Sequence, residues 1–133
     1  KPGKPLFFAK KEKQLLFGLP GNPVSAFMCF THYVKPLIGS VNGVPFGWPI
    51  VSAKAISDIK NDGKRPTMVR VSLKWHDAVG YFITNAKKQG SHMLTSLTES
   101  DGYILLEPGE IVTEGERIDV YCYDSSKEIF PMT

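Results

Sequence analysis

Residues 14–38 constrain the fold more than any other stretch, because a short apolar run, a Pro-Gly break and a long amphipathic segment follow one another without a spacer. Leu15, Leu16, Phe17 and Leu19 do not alternate with polar residues, the pattern of a strand covered on both faces in an α/β sheet. Pro20-Gly21 ends that run. Asn22 is a favoured N-cap, and Pro23 at the first helical position gives up only an N–H that has no helical partner, so a helix starts at Pro23. Its apolar positions Val24, Phe27, Met28, Phe30, Tyr33, Val34, Leu37 and Ile38 exceed one narrow stripe, which predicts packing on two sides. Pro36 removes a helical hydrogen bond and crowds the residue four before it, so the helix kinks or finishes by Gly39.

The turn is where chemistry would begin. Gly21 removes a side chain where backbone amides gather, the positive end of the helix dipole faces an open space, and Ser25 adds a hydroxyl one turn in. That is the outline of an anion site, and equally of a well-capped strand-to-helix junction with nothing bound. Before it, Leu6-Phe7-Phe8, the charged Lys10-Lys11-Glu12-Lys13 and the strand at 14–18 read as a hairpin with a solvated tip.

Residues 39–48 are rich in Gly and Pro and lack a period, which places a domain junction there. The period then changes from helical to two. Ile50 to Ile59 alternates loosely, Thr67 to Trp75 clearly, and Gly80 to Thr84, Tyr103 to Leu106 and Arg117 to Tyr123 add three more strands. Glu107-Pro108-Gly109-Glu110 and Glu114-Gly115-Glu116 are turn chemistry, and Met93 to Leu97 suits one or two helical turns. Many short strands and few helices give a small barrel or sandwich. The expected fold class is therefore α+β: residues 1–40 as the end of an α/β domain, hairpin plus helix, and 46–133 as a small all-β, barrel-like domain.

The 133 residues, 42% hydrophobic, suffice for a core, and no apolar run approaches the roughly 18–20 residues that span a bilayer. A net charge of +3, with the basic residues spread, gives no reason to expect nucleic acid. Cys29 and Cys122 have no metal-ligand spacing and read as buried thiols of a reducing cytosol. His32 reads as a packed histidine, His76 and His92 have no evident partner, Trp75 is expected in the barrel core, and Trp48 at the junction. Catalytic triads, paired carboxylates and Walker or Rossmann glycines are not recognisable. What the chain offers is cations and hydroxyls: Lys1, Lys4, Ser25, Arg65, Arg70 and Ser91.

Leu19-Pro20-Gly21-Asn22-Pro23-Val24-Ser25, preceded by Lys1-Pro2-Gly3-Lys4-Pro5, resembles the closing segment of the molybdopterin-binding domain in the MoeA and gephyrin E-domain family, the molybdopterin molybdenumtransferases. The likeness runs on to the C-terminus but leaves out the family's larger N-terminal part. It implies an enzyme that takes adenylylated molybdopterin and molybdate, cleaves the nucleotide with Mg2+, and releases molybdenum cofactor and AMP. It also implies an oxyanion pocket lined by Lys1, Lys4, Pro5, Ser25, Arg65 and Ser91, and a molybdopterin phosphate site at Pro20, Gly21, Asn22, Pro23 and Arg70. Met68 stands where the family's Arg-Pro-x-(Phe/Met)-x-Arg segment usually has Phe. By the same resemblance the Mg2+ ligands belong to the N-terminal part, so Asp58, Asp77 and Asp101 take no catalytic role. The full protein would be a cytoplasmic homodimer, and this piece would turn over nothing alone. The alternative is a gephyrin-like interaction or dimerisation module, docking a partner protein through edge strands and Phe46 or Phe130.

Each candidate also has a plain structural reading. Terminal lysines are usually solvated, arginines at a strand start often cover a sheet edge, and Ser25 is placed to cap its own helix.

Overall fold

The computed structural model describes residues 6–86 and 99–123. The expectations on Lys1, Lys4, Pro5, Ser91, His92, Phe130 and the turns at 93–97 lie outside the described residues. Contacts group residues up to Trp48 in one compact unit and the described residues from Pro49 onward in another. No helix among the described residues is long and apolar enough to cross a membrane.

The first unit opens with the hairpin of β1 (Phe7–Lys11) and β2 (Gln14–Gly18), antiparallel in the register Phe8↔Phe17 and Lys11↔Gln14. Glu12 takes a positive φ of 53° at the tip, and Phe8 packs on Phe17 with ring centroids 5.1 Å apart. Contrary to the reading of a doubly covered strand, Leu15 and Leu16 are exposed. Among the described residues β2 pairs only with β1, in a two-stranded sheet and not inside a larger one.

The helix begins at Pro23 as expected but is built in three pieces: α1 (Pro23–Cys29), a π-helical turn (Phe30–Val34) and α2 (Lys35–Val41). Pro36 explains the middle piece. It has no N–H for the carbonyl of His32, and its ring crowds that carbonyl, so the chain widens instead, with the Lys35 N–H donating five residues back to Phe30 O. The released His32 carbonyl accepts from the Trp48 indole N–H at 2.9 Å. The helix runs two residues past Gly39, to Val41, and the Asn42 side chain donates back to Ile38 O at 3.0 Å. Val24, Ser25, Met28, Cys29, Thr31 and Pro36 are buried, whereas Phe27, Phe30, Tyr33 and Ile38 are exposed. Only one of the two expected sides is therefore covered.

His32 also stacks on Trp48, with centroids 5.2 Å apart and planes 18° off parallel. Burial lowers its pKa from the ordinary 6.5. Below that value the unfolded chain binds a proton that the folded chain resists, so this contribution to stability is present above about pH 6.5 and is lost as pH falls through the folded pKa. The expected result is a melting midpoint of the first unit that drops as pH falls below about 6.5. Trp48 fluorescence in a Trp75→Phe background measures it, and His32→Phe should flatten the dependence.

The second unit is a closed barrel in the order β3 (Ile50–Ala55), β6 (Gly80–Asn85), β5 (Thr67–His76), β7 (Gly102–Leu106), β9 (Arg117–Cys122) and back to β3. β3 and β6 are parallel through Lys54↔Phe82 and Ala55↔Ile83, and the other four pairings are antiparallel. Alternation sends Val51, Ala53, Ala55, Val69, Val71, Leu73, Ile83, Ile104, Leu106 and Val120 inward. The loosely alternating stretch from Ile50 to Ile59 is not one strand. It breaks after Ala55, and β4 (Ile59–Lys60) pairs instead with β8 (Ile111–Val112) in a separate ribbon, tied by the Glu114 N–H donating to Asp58 Oδ1 at 2.7 Å.

Trp75 is not in the core: it is 40% exposed, meets Tyr81 edge-on at 5.0 Å and donates to Asp77 Oδ1 at 3.1 Å. The reason is register. β5 pairs with β7 only over Thr67–Val71, so Trp75 sits on a two-stranded extension beyond the closed rim. Cys29 and Cys122 are buried free thiols, as expected.

Candidate functional site

Pro20, Gly21, Asn22, Pro23 and Ser25 share one turn in the first unit. Asn22 is extended, with φ −70° and ψ 127°, and its Oδ1 accepts from the amides of Val24 at 3.1 Å and Ser25 at 3.4 Å. The Ala26 amide donates to Asn22 O at 2.8 Å. The first-turn donors that the sequence suggested were open are thus taken up internally, which leaves the amides of Gly21 and Asn22 themselves as candidates. The turn is roomy at Gly21, where an added Cβ meets nothing within 4 Å. Ser25 is only 3% exposed, so its hydroxyl is set in from the surface. Removing the cap has a defined consequence. Asn22→Ala should cost about 1 kcal/mol in a thermal melt, and Asn22→Asp, which keeps the acceptor, should cost little.

The same unit holds an apolar groove of about 390 Å³ between β2 and the helix, lined by Leu15, Phe17, Leu37, Ile38 and Val41 with Lys13 and Asn42 at its margin. Its walls hold too few donors for a dianion, which requires hydrogen bonds around several oxygens.

In the second unit Arg65 and Arg70 occupy contrasting environments. Arg65 is exposed in the loop before β5. Its carbonyl accepts from Asn61 Nδ2 at 2.6 Å and from Thr67 Oγ1 at 3.2 Å. Arg70 lies within β5 on the face turned from the barrel interior, 1% exposed and paired in register with Tyr103 of β7. Tyr103 stacks on Tyr121 at 5.4 Å and on Tyr123 at 6.1 Å, and Tyr123 Oη and Ser100 Oγ share a 3.0 Å hydrogen bond. Burial lowers the Arg70 pKa, opposed by the Tyr123 oxygen, and burial raises that of Tyr123.

Asn61 is the residue sequence reasoning missed. It is 6% exposed and, besides Arg65 O, its side chain donates to Leu106 O at 3.1 Å and accepts from the Gly63 amide at 3.0 Å. The signal was present in Asn61-Asp62-Gly63, since Asn followed two residues later by Gly is the pattern of an Asx-turn. Among the described residues no group of three His, Cys, Asp or Glu side chains could hold a metal ion.

A closed five-stranded barrel with an appended β-ribbon, following a hairpin and a broken helix, defines the class: a two-unit α+β chain whose larger unit is a small barrel domain. The chain belongs to the family described as the MoeA C-terminal region (domain IV), whose model matches residues 52–123, more than half of its length. It is similar to the molybdopterin molybdenumtransferase of Haemophilus influenzae, 34% identical over 90% of this chain and 30% of that protein. It is also similar to the molybdenum cofactor synthesis protein cinnamon of Drosophila melanogaster, 36% identical over 80% of this chain and 18% of that protein. Among solved structures, the molybdopterin biosynthesis MoeA protein of Pyrococcus horikosii superposes with a TM-score of 0.69 at 25% identity, covering 93% of this chain and 30% of that one. The chain thus spans under a third of each of these three proteins. The relatives tie the family to molybdenum cofactor biosynthesis.

Proposed function

We propose that this chain supplies the oxyanion clamp of a molybdopterin molybdenumtransferase, acting in the insertion of molybdate into adenylylated molybdopterin with release of AMP. The observation that carries the reading is the extent of the match. The similarity to the Haemophilus influenzae enzyme covers 90% of the chain, so it includes both the turn at 20–25 and the loop and strand at 65–70.

Molybdate is a tetrahedral dianion, and it calls for cations and for hydrogen-bond donors arranged around four oxygens. In this reading Lys1, Lys4 and Arg65 neutralise its charge, and Ser25 and Ser91 orient it. Pro5 is assigned to the lining of the same pocket on the resemblance, and the amides of Gly21 and Asn22, in the turn with Pro20 and Pro23, hold molybdate or the pterin phosphate. Arg70 is assigned to the phosphate on the resemblance alone. Neutralising the anion first lets molybdate approach a substrate that already carries phosphate charge.

Calorimetric titration of molybdate or tungstate into the full-length protein tests the reading. Saturable heat that disappears in Lys4→Ala and in Arg65→Ala supports it, and heat unchanged in both overturns it.

A further inference from the structure

Loop 61–66 presents Arg65, and its geometry is set from one end. Asn61 makes five hydrogen bonds: Nδ2 to Arg65 O and Leu106 O, Oδ1 from Gly63 N, its own N–H to Glu110 O at 3.0 Å, and its carbonyl from Gly109 N at 2.9 Å. One buried carboxamide therefore joins the Arg65 carbonyl to the last residue of β7, and the main chain of the same residue joins both to the turn at 109–110. Thr67 Oγ1 adds a second donor to the Arg65 carbonyl. Fixing that carbonyl fixes the peptide plane from which the arginine leaves, so an exposed side chain starts from a pre-placed Cα and less ordering remains for binding to supply.

We infer that Asn61 is a positioning residue for Arg65 in oxyanion binding, holding the Arg65 carbonyl to the end of β7. The inference rests on the reading of Arg65 as an anion ligand. Asn61→Asp is the selective variant: it keeps the acceptor for Gly63 N and loses both donors, setting a carboxylate against two carbonyl oxygens.

The test uses the full-length enzyme with molybdate and adenylylated molybdopterin. Asn61→Asp should raise the KM for molybdate roughly tenfold, the loss of about one charge-assisted hydrogen bond, and leave the KM for adenylylated molybdopterin and kcat within about twofold. In an Arg65→Ala background the same substitution should add nothing, because the residue it positions is gone. A lowered melting temperature with unchanged KM for molybdate, or effects of the two substitutions that multiply, overturns the inference. If Arg65→Ala raises that KM and Asn61→Asp does not, this inference alone falls; if Arg65→Ala leaves it unchanged, the ligand reading falls and takes this one with it. Should Asn61→Asp fail to fold, Thr67→Val removes the other bond to the same carbonyl. It should raise the KM for molybdate two- to threefold in the Arg65 background only, by the partial loss of one neutral hydrogen bond, and no rise overturns the inference.

Discussion

Gly102→Ala should unfold the barrel at temperatures where the parent is intact. Gly102 starts β7 and pairs with Val71 of β5 on one side and Cys122 of β9 on the other. A Cβ built there falls on the carbonyl oxygen of Tyr121, far inside van der Waals separation, with Tyr121 C and Val120 Cγ1 each 3.1 Å away. The obstacle is main chain, so no rotamer change relieves it. Tyr121 also pairs with Ile50 of β3, and moving its carbonyl away would loosen two seams of a closed ring together. Overpacking of this kind costs about 3 kcal/mol or more, which for a domain this small lowers the melting temperature by roughly 12 °C or more. Gly47→Ala is the control, since a Cβ at Gly47 meets nothing within 4 Å. Circular dichroism melts decide the matter: a Gly102→Ala midpoint within about 2 °C of the parent would mean that β9 yields at little cost.

Gly102 shows where sequence reading ran out. The period-two alternation of Thr67 to Trp75 and of Arg117 to Tyr123 identified strands, because alternation records which residues face a core. It carries nothing on how closely two backbones approach, and that closeness is what Gly102 provides. β4 and β8 escaped because two residues each make no period. Trp75 went astray for a related reason: alternation put it on the inward side, and only the lengths of β7 and β5 show that the barrel has closed before that position. In the first unit the start of the helix was legible because Asn22 and Pro23 act on adjacent atoms. The form of its interruption was not, since the indole that takes up the His32 carbonyl comes 16 residues later. Nor was the exposure of Leu16, which an apolar run cannot announce when its own pattern implies a cover. Among candidate ligands, the family resemblance singled out Arg65, whose side-chain type and place alone suit a solvated sheet edge equally well. Asn61-Asp62-Gly63 signals a turn but not the bond from Asn61 to Arg65, because a hydrogen bond to a carbonyl leaves no mark on the residue that owns it.

Arg65→Ala should separate binding from stability. The Arg65 side chain is exposed, and the bonds that anchor its loop are made by its carbonyl, which alanine keeps. The melting temperature of the variant should therefore move by no more than a surface substitution does, about 0.5 kcal/mol. Molybdate affinity should respond differently, because the variant loses a cation whose planar fork can donate twice to one oxyanion. A charge-assisted hydrogen bond contributes about 1.5–3 kcal/mol, so the dissociation constant measured by calorimetry should rise roughly 10- to 100-fold. Arg65→Lys restores the charge without the fork and should recover only part of that loss. Salt provides an independent reading. At about 0.15 M ionic strength charges are screened over roughly 8 Å, so the parent's affinity should fall more steeply with added salt than that of Arg65→Ala, with Arg65→Lys close to the parent. Equal salt slopes in parent and Arg65→Ala, together with equal affinities, would remove Arg65 from the ligand set. The clamp would then have to draw its charge from Lys1 and Lys4.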